Sequence, residues 1–283
     1  PAHRTGDRPD VVFVLGGGGP LGAHEVGMLQ ALVERGVRPD AIVGTSIGAL
    51  NGAVVAADPS VASIERLGAL WASVDRSGVL GGSVIDQMRT IARTRTHLQS
   101  NDGLREIVER ALDVELIEDL AVRFECVAAS IERATVQYFS RGPVVDAILA
   151  STAIPGILPP VEIDGEHYLD GGLVASIPLD RAIALGATTV YVLQVGRIET
   201  PLRAPQWPWE VAMVAFEISR RHRFTETMSR VPDSVSVHVL PTGEPKEFTD
   251  LKQYRTGRGA VSVEDRIRVS YEASTEYLDG LDR

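Results

Sequence analysis

Apolar positions along the chain mark out short buried strands alternating with helices. Asp10-Val11-Val12-Phe13-Val14-Leu15 is an apolar run rich in β-branched residues, the pattern of a buried strand. Four glycines, Gly16 to Gly19, interrupt it. Val26, Leu29 and Val33 then recur on one helical face, and Gly36 closes that helix. Ala41-Ile42-Val43 predicts a second buried strand, and residues 47–57 an apolar helix. This β-α-β-α order requires parallel strands joined by right-handed crossovers.

Beyond it, 60–112 is mostly helical by pattern, with strands over 123–129 and 135–139 and a short helix over 143–150. Strands over 161–163 and 166–169 flank Asp164-Gly165, a strong two-residue hairpin signal. A helix led by Pro178 runs over 178–185, followed by a strand over 188–195. A long helix over 209–229, a strand over 234–240 and a terminal helix over 262–278 capped by Ser262 complete the pattern. There is no internal repeat, and the proline-bearing piece 199–208 is too short to separate domains. The expectation is one α/β domain over 8–283, with its motifs within 10–195 and the C-terminal elements of 207–283 packed on it.

Composition narrows the function classes. Of 283 residues, 44% are hydrophobic and 23% charged, which is ordinary globular usage. The net charge of -10 repels polyphosphates, so no nucleic-acid partner is expected, and strong adsorption to anionic membranes is disfavoured. Cys126 is the single cysteine, which excludes an internal disulfide framework and a cysteine-based metal site. No apolar run reaches the ~18 residues needed to span a bilayer. The chain shown starts at Pro1 with polar residues, so no signal peptide is expected within it. These features are read as a cytoplasmic protein, at most peripheral at a membrane.

Gly44-Thr45-Ser46-Ile47-Gly48 is a G-x-S-x-G pattern between a predicted strand and a predicted helix. A serine on such a tight turn is pushed out of the sheet, with its hydroxyl at the positive end of a helix. Gly17-Gly18-Gly19-Pro20-Leu21-Gly22 also follows a strand and opens a helix, so its amides can hold an oxyanion or a phosphate. The same spelling is a dinucleotide fingerprint, which keeps a nucleotide-binding protein as the alternative. Against that, no acidic residue ends the second strand, where a ribose ligand is expected. A serine also needs a base. A histidine triad through Asp170 with His222 or His238 is formally open, but only two candidate strands precede Ser46. Asp170-Gly171-Gly172 fits better: Asp164-Gly165 already supplies the hairpin turn, so Asp170 falls at the end of the returning strand.

These blocks together resemble the patatin-like phospholipase family. The glycine loop at Gly17 to Gly22, the elbow at Gly44 to Gly48 and Asp170-Gly171-Gly172 match in order. The segment from Ala150-Ser151 to Pro159-Pro160 is similar to the family's stretch before the aspartate. The resemblance implies a three-layer α/β/α sandwich with a mostly parallel central sheet. It implies a Ser46–Asp170 dyad acting without histidine, and an oxyanion hole at Gly17, Gly18 and Gly19. It further implies hydrolysis of lipid acyl esters with no metal and no cofactor. The chain departs from the family in carrying Leu21 where members often have Arg or Lys, and Ala175-Ser176 where members often have Asn.

Two further segments invite contact with lipid. Trp207-Pro208-Trp209 opens a helix with Val211, Met213, Val214, Phe216 and Ile218, followed by Arg220, Arg221 and Arg223. Aromatics beside a basic cluster suit a membrane surface, but the favoured reading is a core helix with a solvated basic end. Arg89, Arg93 and Arg95 read as a solvated face. The pattern says nothing of oligomeric state.

Overall fold

The structure, a computed structural model, describes residues 8–77, 100–195, 201–206, 208–243 and 261–281. Strand β1 (Val11–Leu15) lies between and parallel to β2 (Ala41–Thr45) and β7 (Thr189–Leu193). The parallel run continues through β3 (Arg123–Ser130) beside β2 and β8 (Ser236–Val239) beside β7. Three antiparallel strands complete the sheet: β4 (Thr135–Phe139) on β3, and the hairpin β5 (Val161–Ile163) and β6 (Glu166–Asp170), joined through β6 to β3. The order is β5-β6-β3-β2-β1-β7-β8, with β4 also on β3.

The strands are nearly continuous in apolar residues because both faces of the sheet are covered. Successive side chains of a strand point to opposite faces. Phe13 and Leu15 join Ile42, Phe124 and Cys126 in one core, while Val12 and Val14 join Ala41, Val43 and Val127 in the other. The first core is covered by α1 (Ala23–Glu34), α2 (Ile47–Ala57), α3 (Val61–Ser77), α4 (Asp102–Ala111), α5 (Val144–Ser151) and α9 (Val263–Leu281). The second is covered by α6 (Gly172–Ala175), α7 (Leu179–Leu185) and α8 (Pro208–Met228). The chain is therefore a single α/β/α sandwich.

The sheet register brings the motifs together. Thr45, the last residue of β2, pairs with Val127 of β3, while Asp170, the last residue of the oppositely running β6, pairs with Ala128. The two strands thus end against adjacent residues of β3, and Leu15, which precedes the glycine loop, pairs with Gly44.

Three details differ from the sequence reading. A 3₁₀ turn over Gly19–Gly22 precedes α1, and α6, at one turn, is too short for periodicity to reveal. Residues 78–99, with Arg89, Arg93 and Arg95, lie outside the described residues, as does Trp207. The third is a correction. Helix α8 packs on the second core through Phe224 and leaves Arg223 exposed, but Val211, Phe216 and Ile218 face solvent, whereas Glu217 and Arg220 are buried. The cause is a set of hydrogen bonds at the end of β7. Arg220 Nη2 donates to the Val195 carbonyl (2.7 Å) and Gln194 Oε1 (2.8 Å), while Nη1 donates to Glu217 Oε1 (3.0 Å). With both charges paired and hydrogen-bonded, burying them becomes tolerable.

Candidate active site

The turn at Ser46 is strained and closely held. Ser46 has φ 55° and ψ -126°, positive φ on a residue with a side chain. Such a conformation costs about 1–3 kcal/mol and persists only where the surroundings dictate it. Here the Ser46 amide donates to Ser151 Oγ (2.9 Å), and the Ser151 hydroxyl donates in turn to the Val127 carbonyl (2.5 Å). Thr45 Oγ1 donates to the Ala175 carbonyl (2.8 Å), tying the elbow to the segment after Asp170. A Cβ on Gly44 would stand 2.5 Å from the Gly48 carbonyl oxygen, and one on Gly48 would stand 2.5 Å from that of Leu15. Both positions must be glycine for α2 to start this close to β1 and β2.

Ser46 Oγ donates to Asp170 Oδ2 at 2.6 Å, and Asp170 Oδ1 accepts from the Gly172 amide at 2.7 Å. The Gly171 amide donates to the Ser151 carbonyl (3.2 Å), and its α-carbon packs against the Val127 carbonyl too closely for any side chain. Burial pushes the Asp170 carboxyl up to about 6, while the bonds from Ser46 and Gly172 pull the other way. A carboxylate of that basicity, already bonded to a hydroxyl, is chemically able to take its proton near neutral pH. Among the described residues Ser46 Oγ has no histidine partner; His167 bonds to Glu132 (2.7 Å), and His238 stacks on Tyr191.

The glycine loop corrects one expectation. The Gly17 amide is not free for an anion: it donates to the Ser176 carbonyl at 3.0 Å, leaving Gly18 and Gly19 as the loop's open donors. Neither of their amides has an acceptor among the described residues. Gly17 instead allows close approach, since a Cβ there would stand 3.3 Å from that of Ser46. The departures at Ala175 and Ser176 also become intelligible, because both serve through their backbone carbonyls. Gly22 caps the loop, and its carbonyl accepts from Asn51 Nδ2 at 3.0 Å.

Sequence reasoning assigned no role to several residues that build the site. Ser151 stood within a matched block, yet only the structure shows its hydroxyl bridging β3 and the elbow. Behind the loop, the fully buried Glu25 accepts from Asn51 Nδ2 (2.8 Å), and Trp71 Nε1 donates to Asn51 Oδ1 (3.0 Å). Burial pushes the Glu25 carboxyl well above the usual range. Trp71 also walls an apolar hollow with Ile47, Leu50, Leu70, Val74 and Leu104, beginning one residue from Ser46. On the other side of the site, Leu173 and Phe216 are exposed, and Phe216 lies against Gly172. No group of three or more acidic, cysteine or histidine side chains that could hold a metal occurs among the described residues.

The chain is 33% identical over 289 residues to lysophospholipase nte1 of Aspergillus terreus, an alignment covering 96% of the chain and 18% of that protein. It is 36% identical over 189 residues to the patatin-like phospholipase domain-containing protein ZK370.4 of Caenorhabditis elegans, covering 66% of the chain and 14% of the relative. The chain thus spans less than a fifth of the length of either. Among solved structures, VipD from Legionella pneumophila superposes with a TM-score of 0.51 at 14% identity, over 97% of this chain and 67% of that one, a likeness of fold. The model of the patatin-like phospholipase family matches residues 13–183, and the chain belongs to that family.

Proposed function

We propose that the chain is a serine acyl hydrolase that cleaves the acyl ester of a lysophospholipid or a closely related lipid, with Ser46 as nucleophile and Asp170 as its base. The observation that carries this reading is the 2.6 Å bond from Ser46 Oγ to a buried carboxylate, at an elbow held at positive φ. Asp170 takes the Ser46 proton as Oγ attacks the ester carbonyl, and the carbonyl electron pair moves onto oxygen. The amides of Gly18 and Gly19 receive that oxyanion. Collapse expels the alcohol, which recovers the proton from Asp170, and leaves an acyl-Ser46 ester. Water, deprotonated by Asp170, then attacks the acyl carbon; the acid leaves and Ser46 regains its proton. No cofactor enters these steps.

The lipid class rests on the family and on the relatives' names. The exposed Leu173 and Phe216 beside Gly172, with Ile218 exposed elsewhere on the same helix as Phe216, favour a peripheral lipid contact. No helix among the described residues is long and apolar enough to cross a membrane. The test is a panel of lysophospholipids, phospholipids and short-chain esters, run on the wild type beside Ser46→Ala and Asp170→Asn, with fluorophosphonate labelling of each. Ser46-dependent release of fatty acid is expected; undiminished hydrolysis by Ser46→Ala would refute the assignment.

A further inference from the structure

The terminal helix α9 lies outside the residues that match the family model, yet it reaches the glycine loop. Its buried face carries Val263, Arg266, Ser270, Ser274 and Leu278 at helical spacing, so a guanidinium stands on a stripe otherwise of small and apolar residues. Arg266 is only 3% exposed. Burying a cation is costly unless its donors are used, and Arg266 Nη1 donates to the Pro20 carbonyl at 2.8 Å. Two local features put it there. Ser262 caps the helix by accepting from the Asp265 amide (3.0 Å). Gly27 of α1 has no room for a Cβ against the Ile267 carbonyl, which lets the two helices touch backbone to backbone.

The Pro20 carbonyl is not an isolated acceptor. It shares a peptide unit with the Leu21 amide, and that amide donates to the Gly18 carbonyl at 3.2 Å. The Gly18 carbonyl in turn shares a peptide unit with the Gly19 amide, one of the two open donors of the loop. In a trans peptide the C=O and N–H point in opposite directions. A donor on the oxygen therefore draws electrons from the nitrogen end and makes the N–H a stronger donor. Hydrogen bonds linked in this way polarise one another by about 10–30% per bond, and a bond from a charged donor is about twice as strong as a neutral one.

We propose that Arg266 is a positioning residue for acyl transfer: it pins the oxyanion turn and, through the Leu21 and Gly19 peptides, carries positive potential to the oxyanion. The charge comes to the loop from α9, while the loop's own Leu21 is buried and apolar. This rests on the reading of Ser46 and the loop given above.

An oxyanion donor is worth ~10²–10³ in rate. Weakening one by 10–30% therefore lowers kcat about two- to eightfold. Arg266→Gln keeps a neutral donor for the Pro20 carbonyl and removes the charge; Arg266→Met removes both; Arg266→Lys keeps the charge. With a short-chain ester, Arg266→Gln should lower kcat by that amount with KM within about twofold, Arg266→Met should lose more, and Arg266→Lys should stay nearest the wild type. A second readout isolates the charge. A trifluoromethyl ketone forms a hemiketal on Ser46 whose oxyanion occupies the same place, and ¹⁹F NMR follows its ionisation with pH. The hemiketal pKa should rise in Arg266→Gln, or in Arg266→Met where the glutamine variant does not fold. An unchanged hemiketal pKa, an unchanged kcat, or equal losses in the lysine and methionine variants at equal unfolding midpoints would overturn the proposal. Absence of any Ser46 adduct in the wild type would instead overturn the reading of the site itself.

Discussion

Replacing Asp170 by Asn separates what this carboxylate does for catalysis from what it costs the fold. The carboxyl is buried, and its pKa is raised from 3.8 in the ordinary state to about 6 in the folded protein. A raised pKa means that folding favours the protonated form. The contribution of this group to stability is fully present below 3.8 and is lost as pH rises through 6. At one pKa unit to about 1.4 kcal/mol, the loss amounts to roughly 3 kcal/mol by pH 7. Asparagine does not titrate, so the variant escapes that loss. Its one oxygen can still accept from the Gly172 amide, while an NH2 faces Ser46 Oγ, and the cost of that exchange is the same at every pH. The stability of Asp170→Asn relative to wild type should therefore climb by about 2.4 kcal/mol between pH 4 and 7, whatever its value at pH 4. Paired urea unfolding curves across that range measure the difference, and all other titrating groups cancel. Over the same range kcat/KM of the wild type should fall by about tenfold per unit below pH 6, because the base must be ionised. A relative stability that is flat with pH, or an acid limb lying below pH 5, would refute the account of a desolvated base.

Three further outcomes follow from the same geometry. Ser151→Ala leaves the Ser46 amide buried without its acceptor, so the unfolding free energy should drop by about 1–3 kcal/mol, and kcat should fall as the elbow relaxes, measured by denaturation and ester turnover. Glu25→Gln should gain stability relative to wild type as pH rises above 4.5, because the buried carboxyl is raised well above that value and glutamine can still accept from Asn51; parallel unfolding curves at pH 4 and 8 that show no divergence would exclude it. Phe216→Ser combined with Ile218→Ser should reduce flotation with phospholipid vesicles and hydrolysis of vesicle-borne lipid several-fold, while turnover of a soluble short-chain ester stays unchanged.

The legible part of this protein was what local chemistry dictates. Strands covered on both faces leave unbroken apolar runs, so β1 and β2 could be read directly. The elbow could be read because only glycine permits the close approaches at 44 and 48. What could not be read depends on the meeting of distant segments. The fate of the Gly17 amide is decided by Ser176, 159 positions away in sequence, and no pattern within the loop marks one of three similar glycines as already bonded. Helix α8 misleads for a related reason. Its arginines resemble a solvated end until the strand-end oxygens of Gln194 and Val195 supply acceptors for Arg220, while Val211, Phe216 and Ile218 are left exposed, Phe216 of them beside Gly172. Arg266 is the extreme case. In sequence it is one of two arginines on a terminal helix; in the fold it is buried at the carbonyl of Pro20. Local rules identify the groups that can react, whereas the groups that tune them arrive from elsewhere in the chain through hydrogen bonds to backbone oxygens. Such oxygens are carried by every residue, so side-chain identity at the receiving end gives no sign of them.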